Sequence, residues 1–175
     1  PVKGETIEDH EMHAEWIEVG MVLINKIIQQ ITKPSNNTVI AVGTTSLRTI
    51  ESLYWMGVKA LANPNISIEE IPIKQWEVYA LPQDIDAVVA LQTLLQWFQK
   101  NNQDKIICKT QILILDSYQL KIVSALITNF HQPASTLLLL IAAVVGQEWK
   151  NIYRHAMEHN YRFLSYGDGS LLFKV

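Results

Sequence analysis

At 175 residues, 49% apolar and 18% charged, the chain has the size and composition of one ordinary globular domain. Its lone Cys108 excludes an internal disulfide and a cysteine-based zinc site and fits a reducing compartment, while a net charge of −3 gives no overall electrostatic footprint for nucleic acid. The longest apolar stretch, Leu137 to Gly146, falls well short of the ~20 residues a membrane span needs. No signal-peptide pattern is present, so a cytoplasmic protein without a membrane partner is expected.

The predicted elements alternate along the chain. His13 to Val19 reads as a strand with His13, Glu15 and Ile17 on one face. Met21 to Ile31 has helical apolar spacing and is stopped by Lys33-Pro34-Ser35-Asn36-Asn37. Thr38 to Val42 is a short buried-type strand, and Gly43-Thr44-Thr45-Ser46 leads into a helix through about Met56, with Gly57 as its C-cap. After a proline-punctuated stretch from Asn63 to Pro82, Asp84 is placed to cap a helix from Ile85 to about Lys100, with Val88, Leu91, Leu94, Leu95 and Phe98 on one stripe. Ile106 to Leu115 and Leu120 to Thr128 read as two β-branched strands around a turn at Asp116-Ser117-Tyr118. Ser135 caps an apolar helix ending near Gly146, a more polar helix follows over Gln147 to Asn160, and Leu171 to Phe173 is a final strand. Strands and helices in this alternation predict a single α/β domain with a mixed sheet flanked by helices.

Polar groups gather at a few places along this scaffold. His10-Glu-Met-His13-Ala-Glu15 sets two imidazoles and a carboxylate close together. Metal geometry there is poor, because His13 and Glu15 share a strand face while His10 precedes the strand; acid–base work, substrate contact and plain surface histidines stay open. Val42-Gly-Thr-Thr-Ser-Leu-Arg48 runs from a strand into a hydroxyl-rich helix start, so Thr44, Thr45 and Ser46 offer free N–H groups and the positive dipole end to an anion. Arg48, one turn in, is fit to grip a carboxylate or phosphate in two-point fashion, or else to pair with Glu51 or Glu15.

Asn129, His131, Ser135 and Thr136 put hydrogen-bonding side chains on a strand-to-helix loop, where a fold gains nothing from them unless they pair with one another or hold a ligand. Arg162, Tyr166 and Asp168, in Tyr161-Arg-Phe-Leu-Ser-Tyr-Gly-Asp168, combine turn chemistry with groups able to bind a ribose or an amino-acid head.

Taken in order, His10-Glu-Met-His13-Ala-Glu15, Val42-Gly-Thr-Thr-Ser-Leu-Arg-Thr-Ile-Glu-Ser52, Ala125-Leu-Ile-Thr-Asn-Phe-His-Gln-Pro-Ala-Ser-Thr-Leu-Leu-Leu139 and Tyr161-Arg-Phe-Leu-Ser-Tyr-Gly-Asp168 resemble one family closely: the S-adenosylmethionine:tRNA ribosyltransferase-isomerases of queuosine biosynthesis. The resemblance implies that the chain is the C-terminal portion of that family's α/β domain, without the preceding half of the protein and without the inserted β-barrel domain. It implies a reaction that moves the ribosyl part of S-adenosylmethionine onto 7-aminomethyl-7-deazaguanine in tRNA, giving epoxyqueuosine and releasing adenine and methionine. S-adenosylmethionine and tRNA are the implied partners, and no metal or cofactor is implied beyond S-adenosylmethionine as co-substrate.

The chemistry requires a base for the ribosyl carbon beside the sulfonium and a proton for the departing adenine, and His131 or His13 is assigned to one of these tasks as a catalytic residue. Thr44, Thr45, Ser46 and Arg48 are assigned to the methionine carboxylate or a tRNA phosphate, and Asn129 and Asp168 to sugar hydroxyls. His10, Glu15, Ser135, Thr136, Arg162 and Tyr166 complete the expected binding residues.

The chain departs from the family pattern in places. Asp116-Ser117 stands where Pro-Gly is usual, Ser124 stands where an acidic residue is usual, a change that would remove an orienting group from a nearby histidine, and the segment from Trp55 to Lys109 is longer and carries an extra amphipathic helix. Two other readings are a divergent S-adenosylmethionine-binding paralogue with a non-tRNA acceptor and a non-catalytic assembly module. The enzyme readings predict that His13, Arg48, His131 and Asp168 line one cleft; the module reading predicts that they lie apart.

Overall fold

The computed structural model describes residues 11–132 and 135–175. Its strands are β1 (Glu15–Gly20), β2 (Ile40–Val42), β3 (Lys105–Thr110), β4 (Ala125–Asn129) and β5 (Gly169–Phe173). Its helices are α1 (Met21–Ile31), α2 (Thr44–Ala62), α3 (Ala87–Lys100), α4 (Thr136–Val145) and α5 (Trp149–Glu158). The chain is α/β, with a three-stranded mixed sheet in the order β2-β4-β5 and a separate antiparallel ladder of β1 and β3. β4 runs parallel to β2 and antiparallel to β5.

The register of the mixed sheet sorts its side chains cleanly. The row Ala41, Leu126, Leu172 is buried on one face. Val42, Ile127 and Leu171 form a neighbouring row on the opposite face and are exposed, as are Ile40 and Phe173 on either side of Ala125. This is the period-2 pattern of a sheet with one face packed, except that the open face is apolar rather than polar.

The two long strands expected around Asp116-Ser117-Tyr118 do not form a hairpin. The turn is there, with Tyr118 N donating to Leu115 O at 3.0 Å, but β3 pairs with β1 and β4 pairs with β2 and β5. Competing acceptors explain the difference. Gln111 N and Leu113 N donate to Ile73 O and Gln75 O, and Lys121, Ile122 and Val123 N donate to the buried carboxylate of Glu51. Backbone amides so engaged are unavailable for a strand ladder.

Helix α2 also overrides its local signal. It passes through Gly57, the expected C-cap, and ends at Ala62, with Asn63 as C-cap. A Cβ on Gly57 would lie 2.1 Å from Ala90 O, so the glycine is there to let α3 press against α2. α3 begins two residues later than expected, capped by Asp86, whose Oδ1 accepts from Val88 N at 2.8 Å and Val89 N at 3.1 Å, rather than by Asp84. Ile85 is occupied otherwise, its carbonyl accepting from Tyr54 OH at 2.8 Å. Ser135 caps α4 as expected, its Oγ accepting from Leu137 N at 3.2 Å.

Candidate functional site

Strands β2 and β4 run parallel, and each feeds a helix at its carboxyl end: α2 after Gly43, and α4 after the loop that begins at Phe130. Gly43 N donates to Ile127 O at 2.8 Å, so the two strand-to-helix junctions are side by side. Gly43 is the N-cap of α2 with φ 88° and no side-chain cap, which leaves the first turn, Thr44-Thr45-Ser46, with unclaimed backbone donors at the positive end of the helix dipole. Thr44 and Thr45 therefore do not cap α2 with their own side chains. The crevice outside the carboxyl ends of parallel strands is where open α/β sheets hold ligands.

The antiparallel strand β5 brings the fourth motif to the same end, because Gly169 pairs with Asn129. Asn129 Nδ2 donates to Gly167 O at 3.1 Å. The turn behind that carbonyl is locked by Asp168, whose Oδ2 accepts from Arg162 N at 2.8 Å while its Oδ1 takes Arg162 Nη2 at 3.1 Å. Hydrogen bonds from the Arg162 side chain and backbone hold the Asp168 carboxyl below the ordinary carboxylate range. Gly167 has no room for a side chain, since a Cβ would meet Arg162 O at 2.5 Å. Tyr166, in the same turn, is 96% exposed.

His131 leaves the end of β4 half-buried, on the side of α5. Its Nε2 and Thr128 Oγ1 share a hydrogen bond of 3.1 Å, and its backbone N–H donates to Tyr153 OH at 3.1 Å. Burial lowers its pKa below 6.5, which keeps the ring neutral and able to take a proton near pH 7. Phe130 anchors the loop, with its ring 5.4 Å from Tyr153, 5.6 Å from Tyr161 and 5.5 Å from Phe163. Ser135 is taken up by capping, and Thr136 is the first residue of α4. Pro133 and Ala134 of this motif lie outside the described residues, as does His10 of the first motif.

Arg48 and Glu15 form a second group one helical turn away. Arg48, 3% exposed, donates from Nε to Ile112 O at 3.1 Å and from Nη1 to Glu15 Oε1 at 2.5 Å. Burial lowers the Arg48 pKa while the Glu15 charge opposes it. Of the two partners open to Arg48, the structure uses Glu15 and turns Glu51 inward. His13 precedes β1 and is exposed. The structure thus brings Asn129, His131, Arg162 and Asp168 to one end of the sheet beside Thr44–Ser46. Arg48 lies about 6 Å of helix rise further along α2, paired there with Glu15 of β1, and His13 precedes β1 rather than the carboxyl ends of β2 and β4. Among the described residues no cluster of three or more His, Cys, Asp or Glu is arranged to hold a metal ion.

Sequence reasoning missed Glu51. Its carboxylate is fully buried and accepts from Tyr118 OH, Lys121 N, Ile122 N and Val123 N at 2.8–2.9 Å, while Trp55 Nε1 donates to Tyr118 OH at 2.7 Å. The signal available was an acidic residue at a helical spacing otherwise filled by apolar ones. Ser124 corrects another expectation. It stands at the opposite end of β4 from His131, where its backbone and hydroxyl join β2 and β5, so it takes no orienting group from that histidine.

The parallel pair with its two helix N-termini, a half-buried histidine and a locked polar turn define an α/β domain whose polar groups gather at the carboxyl ends of its parallel strands. The match to the family model "Queuosine biosynthesis protein" spans residues 1–172, and the chain belongs to that family. It is 37% identical over 173 residues to the S-adenosylmethionine:tRNA ribosyltransferase-isomerase of Cereibacter sphaeroides (strain KD131), covering 98% of this chain and 37% of that protein. It also resembles the crystal structure of S-adenosylmethionine tRNA ribosyltransferase from Thermotoga maritima, with a TM-score of 0.55 and 29% identity, over 89% of this chain and 40% of that one. The chain therefore spans about two-fifths of the length of these relatives. Among the described residues no helix is long and apolar enough to cross a membrane.

Proposed function

We propose that the chain supplies the half of the catalytic centre that handles S-adenosylmethionine in a tRNA ribosyltransferase-isomerase. The transferred group is the ribosyl moiety, the acceptor is 7-aminomethyl-7-deazaguanine in tRNA, the product is epoxyqueuosine, and adenine and methionine leave. The observation that carries this reading is His131, held neutral and half-buried at the carboxyl end of β4 next to Asn129. A neutral imidazole there is suited to remove the proton from the ribosyl carbon beside the sulfonium, and the resulting imidazolium to return a proton to the departing adenine. Asn129 and the Asp168 turn face sugar hydroxyls, and the open first turn of α2 faces an anionic group of either substrate. His13, exposed before β1, remains the second acid–base candidate, with His10, Tyr166 and Thr136 as further contacts.

Adenine release by the intact protein tests this, with S-adenosylmethionine and a tRNA carrying 7-aminomethyl-7-deazaguanine. Release that requires this tRNA and drops by roughly 10²–10⁴-fold in His131→Ala supports it. Release near the wild-type rate in His131→Ala removes His131 from the chemistry. Binding of S-adenosylmethionine without tRNA-dependent release points to a different acceptor.

A further inference from the structure

Ser124 stands at the opposite end of β4 from His131, so the histidine is oriented by other groups, and two anchors hold it. Its backbone N–H donates to Tyr153 OH of α5 at 3.1 Å, and its ring Nε2 lies 3.1 Å from Thr128 Oγ1 of β4. Tyr153 is 7% exposed and Thr128 is 8% exposed, so both anchors are buried while the imidazole between them is only half-buried.

Thr128 follows Leu126 on the packed face of the sheet, where a β-branched apolar residue would serve the fold as well. A hydroxyl buried there is unfavourable unless it is bonded. Among the described residues, the bond its hydroxyl makes is the one to His131.

This contact decides which ring nitrogen is free. With Nε2 engaged by Thr128, Nδ1 is the nitrogen left to meet a substrate. A hydroxyl that donated would use the Nε2 lone pair and put the ring proton on Nδ1, leaving the neutral ring no basic atom. A hydroxyl that accepts keeps the proton on Nε2 and the lone pair on Nδ1.

We propose that Thr128 is the positioning residue of His131: its hydroxyl accepts from Nε2–H, fixes the tautomer and leaves Nδ1 as the atom that takes the proton. This rests on the function proposed above, in which His131 is the base. The proton passes from the ribosyl carbon to Nδ1, and the electron pair stays on the carbon beside the sulfonium. The bond from Nε2–H to Thr128 strengthens as the ring becomes positive. Thr128 thus acts through the imidazole, not on the substrate.

Imidazole nitrogen NMR of the intact protein, isotopically labelled at histidine, reads the tautomer at a pH where the ring is neutral, with His131→Ala assigning the resonance. Adenine release from S-adenosylmethionine and the tRNA substrate reads the consequence. The wild type is expected to carry the ring proton on Nε2. Thr128→Val keeps the shape and removes the hydroxyl. It is expected to lose that preference and to lower kcat about 10- to 100-fold, the range for one hydrogen bond to a charged group, with KM for S-adenosylmethionine nearly unchanged. Thr128→Ser keeps the hydroxyl and is expected to restore both. A wild-type ring protonated on Nδ1 overturns the inference and leaves the proposed function in place. So does a Thr128→Val protein with the wild-type tautomer or the wild-type kcat, or a Thr128→Ser protein no better than Thr128→Val. Should Thr128→Val fail to fold, the wild-type tautomer decides. Full activity in His131→Ala, or a wild type without tRNA-dependent adenine release, overturns the proposed function and this inference together.

Discussion

Glu51 of α2 reaches Tyr118, 67 residues away in the chain, at 2.8 Å, and with the same carboxylate collects the backbone N–H groups of Lys121, Ile122 and Val123. This one side chain ties α2 to the segment entering β4 and thereby sets where β4 lies beside β2. Both strand-to-helix junctions of the candidate site depend on that placement.

Glu51→Ala should therefore cost about 3–5 kcal/mol in a urea unfolding experiment, the range for removing one partner of a buried charged network. Glu51→Gln should be destabilising as well, though it preserves volume. Its amide NH₂ would face backbone N–H groups or the Tyr118 hydroxyl, donor against donor. A Gln variant as stable as the wild type would show that the four hydrogen bonds contribute little.

Gly57→Ala sets two effects against each other. Alanine in place of glycine in a helix interior gains about 1 kcal/mol. A Cβ at 2.1 Å from Ala90 O forces α3 off α2, and overpacking of a close contact costs about 1–3 kcal/mol or more. The contact is with backbone, which cannot rotate away, so net destabilisation is expected in thermal unfolding. An unchanged or raised Tm would mean that α3 shifts freely.

For His131 the sign follows from burial. Its folded pKa lies below 6.5, so the unfolded chain binds the proton more readily. Its contribution to stability is present above the unfolded value and is lost as pH falls through the folded one. The imidazole resonance of His131 should titrate with a midpoint below 6.5, and His131→Gln should flatten the loss of stability on acidification in that window. A midpoint above 6.5 would contradict the desolvated environment.

Asp168→Asn keeps the size of the side chain but removes the charge that Arg162 engages from its backbone and side chain. Hydrogen exchange at the amides of Arg162 and Gly167 should accelerate, and with it the turn that presents Gly167 O to Asn129 should loosen. Exchange at wild-type rates would place the rigidity of the turn in the Phe130 ring cluster instead.

Much of the candidate site was legible because its residues sit in short motifs at element boundaries. Gly43 before a hydroxyl-rich helix start and Ser135 before the Leu-rich run of α4 are local signals, satisfied by bonds a few residues away. What those motifs could not show was pairing. Arg48 had two acidic partners within reach of pattern reasoning, and only the approach of β1 selected Glu15 and left Glu51 for Tyr118. Ser124 looked like a departure beside a histidine and lies at the far end of the strand.

The sequence by itself determined where α1, α4 and the body of α3 form, the α/β class, and which polar residues gather at strand-to-helix junctions. These are set by helical periodicity, caps and turns, whose energies are short-range in the chain. Only the tertiary structure decided that β3 pairs with β1, that α2 continues through Gly57, and that the amides of residues 121–123 belong to Glu51. Each of those outcomes rests on a partner more than 30 residues distant, and a buried N–H or carboxylate must find some partner without its neighbours in sequence specifying which.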